Sequence, residues 1–181
     1  TGPAMVTGWG LRTLASTMGA YNPMSYHNGS VWPHDNAIAV AGLMRYGFVT
    51  EAQRVARAVM DAGEVFAGRL PELFCGFDRT EFEQPVPYPT SCSPQAWAAA
   101  SPLLLLRSLL RLEPDVPQGR LGLAPQLLPE LGKVRVENVP LAGARVTVTV
   151  DGDEVEVADL AAGVEIESTP RPGERRAAES A

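Results

Sequence analysis

Residues 93–112 constrain the fold of this chain more than any other stretch. They read as a helix, with Ser93 as N-cap and Pro94 at the first helical position, where a missing N–H costs nothing. Ala96, Trp97, Ala99, Leu103, Leu104, Leu106 and Leu110 make it apolar nearly all round, so it calls for cover on several sides. Two more helices are predicted upstream. Pro33 opens one that runs to about Tyr46, with Gly47 as its stop and Ala37, Ile38, Ala41 and Met44 as apolar positions. Thr50 and Gln53 read as the capping box of the next, whose stripe is Ala52, Val55, Ala56, Val59 and Phe66. With a short join, this pair predicts an αα-hairpin. Three such helices cannot wrap the apolar one, so further walls are expected from upstream chain or a partner. The chain opens on Thr1, not Met, and reads as a piece of a longer protein.

The period changes after residue 113. Residues 114–133 form a Pro/Gly/Leu-rich connector, and then Val134, Val136, Val146, Val148, Val150, Val155 and Val157 alternate with polar residues. Asp151-Gly152 reads as a hairpin turn, and residues 163–167 as one more strand, so 134–168 is a small antiparallel β region. Seven acids and no base lie between Asp151 and Glu167, which turns this sheet toward water. Residues 169–181 read as a frayed tail. At 181 residues, 45% hydrophobic and 20% charged, the chain suits about one domain with an appendage. A net charge of −6 argues against a nucleic-acid surface. The longest apolar stretch is interrupted by Pro102 and Arg107 and is too short to span a bilayer. No basic n-region with an apolar core opens the chain, and two cysteines suggest a reducing, cytoplasmic setting.

Residues 1–32 and 68–92 are the segments able to carry chemistry. Both read as long loops, and a loop as long as 68–92 inside a compact domain is usually functional. Glu72 sits among Leu70, Pro71, Leu73 and Phe74. Buried there, it would need a raised pKa or a hydrogen-bonding partner, and either suits a general base; the other reading is a solvated loop glutamate. Asp35 at a helix start reads first as dipole stabilisation. His27 and His34 lack zinc spacing and read as substrate hydrogen bonders or satisfied loop histidines. Cys75 and Cys92 carry no nucleophile signature. Trp9, Trp32, Tyr26 and Tyr88 beside polar donors are what a carbohydrate pocket needs, although each could equally plug a core.

Four stretches occur in one order: Gly10-Leu11-Arg12-Thr13-Leu14, Tyr26-His27-Asn28-Gly29-Ser30-Val31-Trp32-Pro33, Leu70-Pro71-Glu72-Leu73, and Ser91-Cys92-Ser93-Pro94-Gln95-Ala96-Trp97. Together, over about residues 8–112, they resemble the C-terminal amylo-α-1,6-glucosidase domain of glycogen debranching enzymes, in the six-hairpin glycosidase superfamily. The resemblance implies a mainly α fold, with residues 1–113 as the C-terminal part of an (α/α)6 toroid. It implies inverting hydrolysis by two carboxylates about 6.5–9.5 Å apart. Glu72 takes the family's general-base position, and the general acid lies upstream of this chain, which alone is expected to be inactive. Arg12, Tyr26, His27, Asn28, Trp32 and Gln95 carry over as sugar-site residues, with Trp9, Asp35 and Tyr88 as further candidates. The implied partners are an α-glucan or oligosaccharide and the missing part of the toroid; no metal or cofactor, nucleic acid or membrane is expected. Relatives acting on trehalose or mannosyl compounds and a non-catalytic sugar-binding fragment are the competing readings.

Overall fold

The computed structural model describes residues 2–168, so the tail expected over 169–181 lies outside the described residues. The chain divides into two compact units, Thr1–Leu106 and Arg107–Ala181, with the division inside the third helix rather than at residue 113.

The first unit is built on a helix pair. Helix α1 spans Pro33–Arg45 and helix α2 Val49–Val65, and the two pack against each other. Pro33 opens α1 as predicted, and Gly47 ends it: its φ of 80° lets the Gly47 and Phe48 N–H groups reach back to the Met44 and Leu43 carbonyls, at 3.2 and 2.9 Å. Of the apolar positions, Ala37 and Met44 are buried, but Ile38 is 60% exposed; buried Asn36 and Val40 complete the inner face instead. In α2 the stripe Ala52, Val55, Ala56 and Val59 is buried as expected. The Thr50 capping box does not form, because the helix already begins at Val49, after Phe48.

Extended segments from both long loops are laced to one another by single antiparallel bridges. Arg12 pairs with Val31, Val31 with Phe74, and Phe74 with Pro87. The Val31 N–H donates to the Phe74 carbonyl at 2.9 Å and the Phe74 N–H returns the bond at 3.0 Å. Val31, Leu73 and Phe74 are fully buried at this crossing. Asn36 ties the N-terminal loop to α1: its Oδ1 accepts from the Leu11 N–H at 2.6 Å, and its Nδ2 donates to the Trp32 carbonyl at 2.9 Å. The crossing of loops therefore sets Trp32 and Glu72 near one another.

Helix α3, Ala96–Leu110, starts two residues past Pro94, with Gln95 capping it in place of Ser93: the Gln95 Oε1 accepts from the Ala98 N–H at 3.1 Å. The described residues do not enclose it on all sides. Ala98, Ser101 and Leu105 are buried, whereas Trp97 is 48% and Leu103 70% exposed.

The second unit is largely β. Strands β1 (Glu113–Asp115) and β2 (Arg120–Gly122) pair antiparallel, and β6 (Glu165–Glu167) joins β2 in parallel. Strands β3 (Val134–Leu141), β4 (Ala144–Asp151) and β5 (Glu154–Ala158) form an antiparallel meander. The alternating valines meet across it: Val148 faces Val136 and Val157, and Val150 faces Val134 and Val155. The turn at Asp151-Gly152 holds. The last predicted strand belongs to the other sheet, and the supposed connector supplies two strands of its own.

The mainly α expectation is overturned. The described residues form three α-helices and six strands in two three-stranded sheets, an α+β arrangement and not the C-terminal part of an (α/α)6 toroid. Residues 113–122, read from sequence as a helix end and connector, supply strands β1 and β2, which with β6 make a sheet in addition to the valine meander. No helix among the described residues is long and apolar enough to cross a membrane.

Candidate functional site

The first unit contains a pocket of about 420 Å³, within the usual range of about 300–1,000 Å³ for small-molecule sites. Its lining combines the rings of Tyr26, Trp32 and Trp97, the imidazoles of His27 and His34, the carboxylates of Asp35 and Glu72, and the Thr13 hydroxyl.

Glu72 is 8% exposed and held from two sides. The Tyr26 hydroxyl donates to its Oε1 at 2.9 Å and the Cys92 N–H to its Oε2 at 3.4 Å, while its own N–H donates to the Cys92 carbonyl at 2.9 Å. A carboxylate has about four lone-pair directions, so two such bonds orient it and leave acceptor capacity for a ligand or water. The bond to Glu72 raises the pKa of the Tyr26 hydroxyl, helped by partial desolvation and by the Glu72 charge. Tyr26 therefore stays protonated and keeps donating at neutral pH.

The bridge between Val31 and Phe74 brings Trp32 beside this carboxylate, with Tyr26 between them. The Trp32 indole N–H is shared between Ser30 Oγ at 2.9 Å and the Tyr26 carbonyl at 3.1 Å. The His27 ring stacks on the indole with centroids 5.5 Å apart and planes 8° from parallel, and the Tyr26 ring meets it edge-on at 4.9 Å. Tyr88 lies against Tyr26, with centroids at 5.8 Å, outside the lining itself. A second stack stands at the same pocket: His34 on Trp97, with centroids at 4.3 Å and planes 14° apart. The His34 Nε2 lies 3.1 Å from Asp35 Oδ1.

Of the residues named from sequence, Glu72, Tyr26, His27, Trp32 and Asp35 meet in this pocket. Arg12, Asn28, Gln95 and Trp9 do not. The Arg12 guanidinium is buried as a brace for the loops, donating to the Ala4 and Gly76 carbonyls at 3.0 and 3.1 Å and to Asp78 at 2.6 Å. Asn28 is exposed, with its carbonyl accepting from the Asn22 N–H, and Gln95 caps α3. Trp9 is buried, with the Arg79 guanidinium 4.1 Å from its ring centre. Trp97 and Thr13 also line the pocket, without a site role in the sequence reading. Trp97 reads from sequence as one more apolar residue of a buried helix; the available signal was its place in the first turn, the end nearest the loops. No group of three or more metal-ligating side chains exists among the described residues. Cys75 is buried, and that burial raises its thiol pKa, which disfavours a nucleophilic thiolate.

Comparison with protein-family models and with curated proteins finds no match to this chain. With two three-stranded sheets where a helical toroid was implied, the resemblance to the amylo-α-1,6-glucosidase domain does not hold. What survives is the pocket, which rests on geometry alone.

Proposed function

We propose that this pocket binds a sugar ring and that Glu72 is the general base of a glycoside hydrolase reaction at it. The observation that carries the reading is a buried carboxylate, oriented by Tyr26 and the Cys92 backbone, in the same pocket as the stacked Trp32 and His27 rings. Aromatic faces cover the C–H face of a pyranose, and the imidazole and hydroxyl groups meet its rim. Glu72 takes a proton from a water molecule whose oxygen bonds to the anomeric carbon as the glycosidic bond breaks on the opposite face. The leaving oxygen takes its proton from a second carboxylic acid. Asp35 is paired with His34 and is assigned to sugar hydroxyls; among the described residues no further carboxylate lines the pocket, and the acid is proposed to come from a segment outside this chain. The specific α-1,6-glucan expectation rested on the family resemblance and is not carried forward; the partner proposed is a glycoside or oligosaccharide. The two unpaired thiols support a cytoplasmic setting.

Glycosyl fluorides test this directly, because fluoride leaves without being protonated. The chain is expected to hydrolyse a glycosyl fluoride of its sugar, and Glu72→Gln to slow that reaction by at least about 10²-fold while binding persists. Turnover in Glu72→Gln equal to wild type overturns the base assignment. Binding without any turnover in either protein favours a purely carbohydrate-binding pocket.

A further inference from the structure

Trp97 is unlike the other two tryptophans of this chain. Trp9 and Trp32 are 3% and 5% exposed, but Trp97 keeps 48% of its surface in contact with solvent. A single exposed apolar side chain is ordinary. A placed one is less so, and Trp97 is stacked on one side by a ring that is itself held. One face of its indole lies on the His34 imidazole. That imidazole is itself wedged edge-on against Trp32, with centroids 5.7 Å apart and planes at 78°. The backbone beneath Trp97 is set by Gln95, whose side chain caps the first turn of α3. Beside the stack, the Asp35 carboxylate pairs with His34 Nε2 through one oxygen and is 56% exposed.

We infer that Trp97, His34 and Asp35 form a second ring-binding subsite of the pocket, so that the ligand is a saccharide of at least two rings. One ring sits by Trp32 and Glu72; the next lies on the open face of Trp97 and gives its hydroxyls to Asp35. A flat ring flanked by a carboxylate acceptor matches a pyranose, which is apolar on its faces and hydroxylated on its rim. The platform is already held in place, so little ordering opposes binding. This inference rests on the reading of the pocket as a sugar site, and it deepens that reading by adding a length requirement.

Acrylamide quenching of tryptophan fluorescence reads the subsite without relying on turnover, because Trp97 is the accessible indole. The probes are a panel of disaccharides (maltose, isomaltose, trehalose and mannobiose) and the methyl glycosides of glucose and mannose. At saturation, a disaccharide is expected to shield Trp97 from acrylamide, whereas a methyl glycoside leaves it open. Trp97→Ala is expected to weaken disaccharide binding about tenfold, by removing the covered face, and to leave methyl glycoside binding within about twofold. Trp97→Phe, which keeps a flat ring, recovers part of the loss. Unchanged disaccharide affinity in Trp97→Ala, or a Trp97 still quenched in the saturated complex, overturns the subsite and leaves the Glu72 reading standing. No binding of any probe to the wild-type protein overturns the sugar reading and the subsite with it.

Discussion

At the scale of single residues, the pocket depends on contacts between side chains far apart in the chain. Tyr26 and Glu72 stand out in the sequence for separate reasons, one as a loop aromatic and the other as a charge among apolar residues. Their 2.9 Å bond spans 46 positions and has no local signature. Arg12 shows the opposite failure. A loop arginine among aromatics looks like a ligand contact, yet its guanidinium holds the loops together. Gly76, beside the Glu72 loop, reveals how closely those loops approach: a Cβ there would lie 1.7 Å from the Gly29 carbonyl oxygen. Backbone cannot yield as a flexible side chain does. Gly76→Ala is therefore expected to destabilise the protein by about 3 kcal/mol or more, read as a fall in the denaturant midpoint. A loss below about 0.5 kcal/mol would mean that the loops separate easily.

At the scale of elements, local signals located the helix pair to within a residue or two, the alternating valines and the turn at Asp151-Gly152. Pro33, Gly47 and the period-two valines act on their immediate neighbours, so the sequence alone reveals them. Strands β1 and β2 escaped because three residues are too few to show a period, whereas β6 falls within the strand predicted over 163–167. The end of α2 offers a test. Ala67 adopts φ 52°, the left-handed position that follows a helix C-cap, with its N–H bonded to the Glu64 carbonyl and the Gly68 N–H bonded to Gly63. Alanine is strained there, and the side chain is exposed, so nothing packs on its methyl. Ala67→Gly is expected to stabilise the protein by about 1 kcal/mol and to raise Tm by about 2–4 °C. An unchanged or lower Tm in a thermal melt would count against the helix end described here.

At the scale of the whole molecule, the raised pKa values of the buried Cys75 thiol and of two tyrosine hydroxyls make stability fall toward alkaline pH. Tyr26 is raised chiefly by its bond to Glu72, and Tyr21 chiefly by burial. Both hold their protons more tightly when folded than in the unfolded chain, whose tyrosines titrate near 10.0. Their contribution to stability is therefore fully present below pH 10.0 and declines as pH rises through the folded values. Denaturant midpoints should begin to fall above pH 9.0, where unfolded Cys75 titrates, and fall further above pH 10.0, where Tyr26→Phe should make the fall shallower. An equal slope in wild type and Tyr26→Phe would remove Tyr26 from the account. The approximate limits of the helix pair, the alternating valines and the oddity of a lone glutamate among apolar residues are legible in the chain, because each depends on a few neighbouring residues. Three-dimensional pairing was needed to show that α3 leaves Trp97 half open, that the chain is α+β, and that Trp32, Trp97, Asp35 and Glu72 share one pocket. Those outcomes follow from backbone bridges between distant loops, and pairing of that kind leaves no periodic trace along the chain.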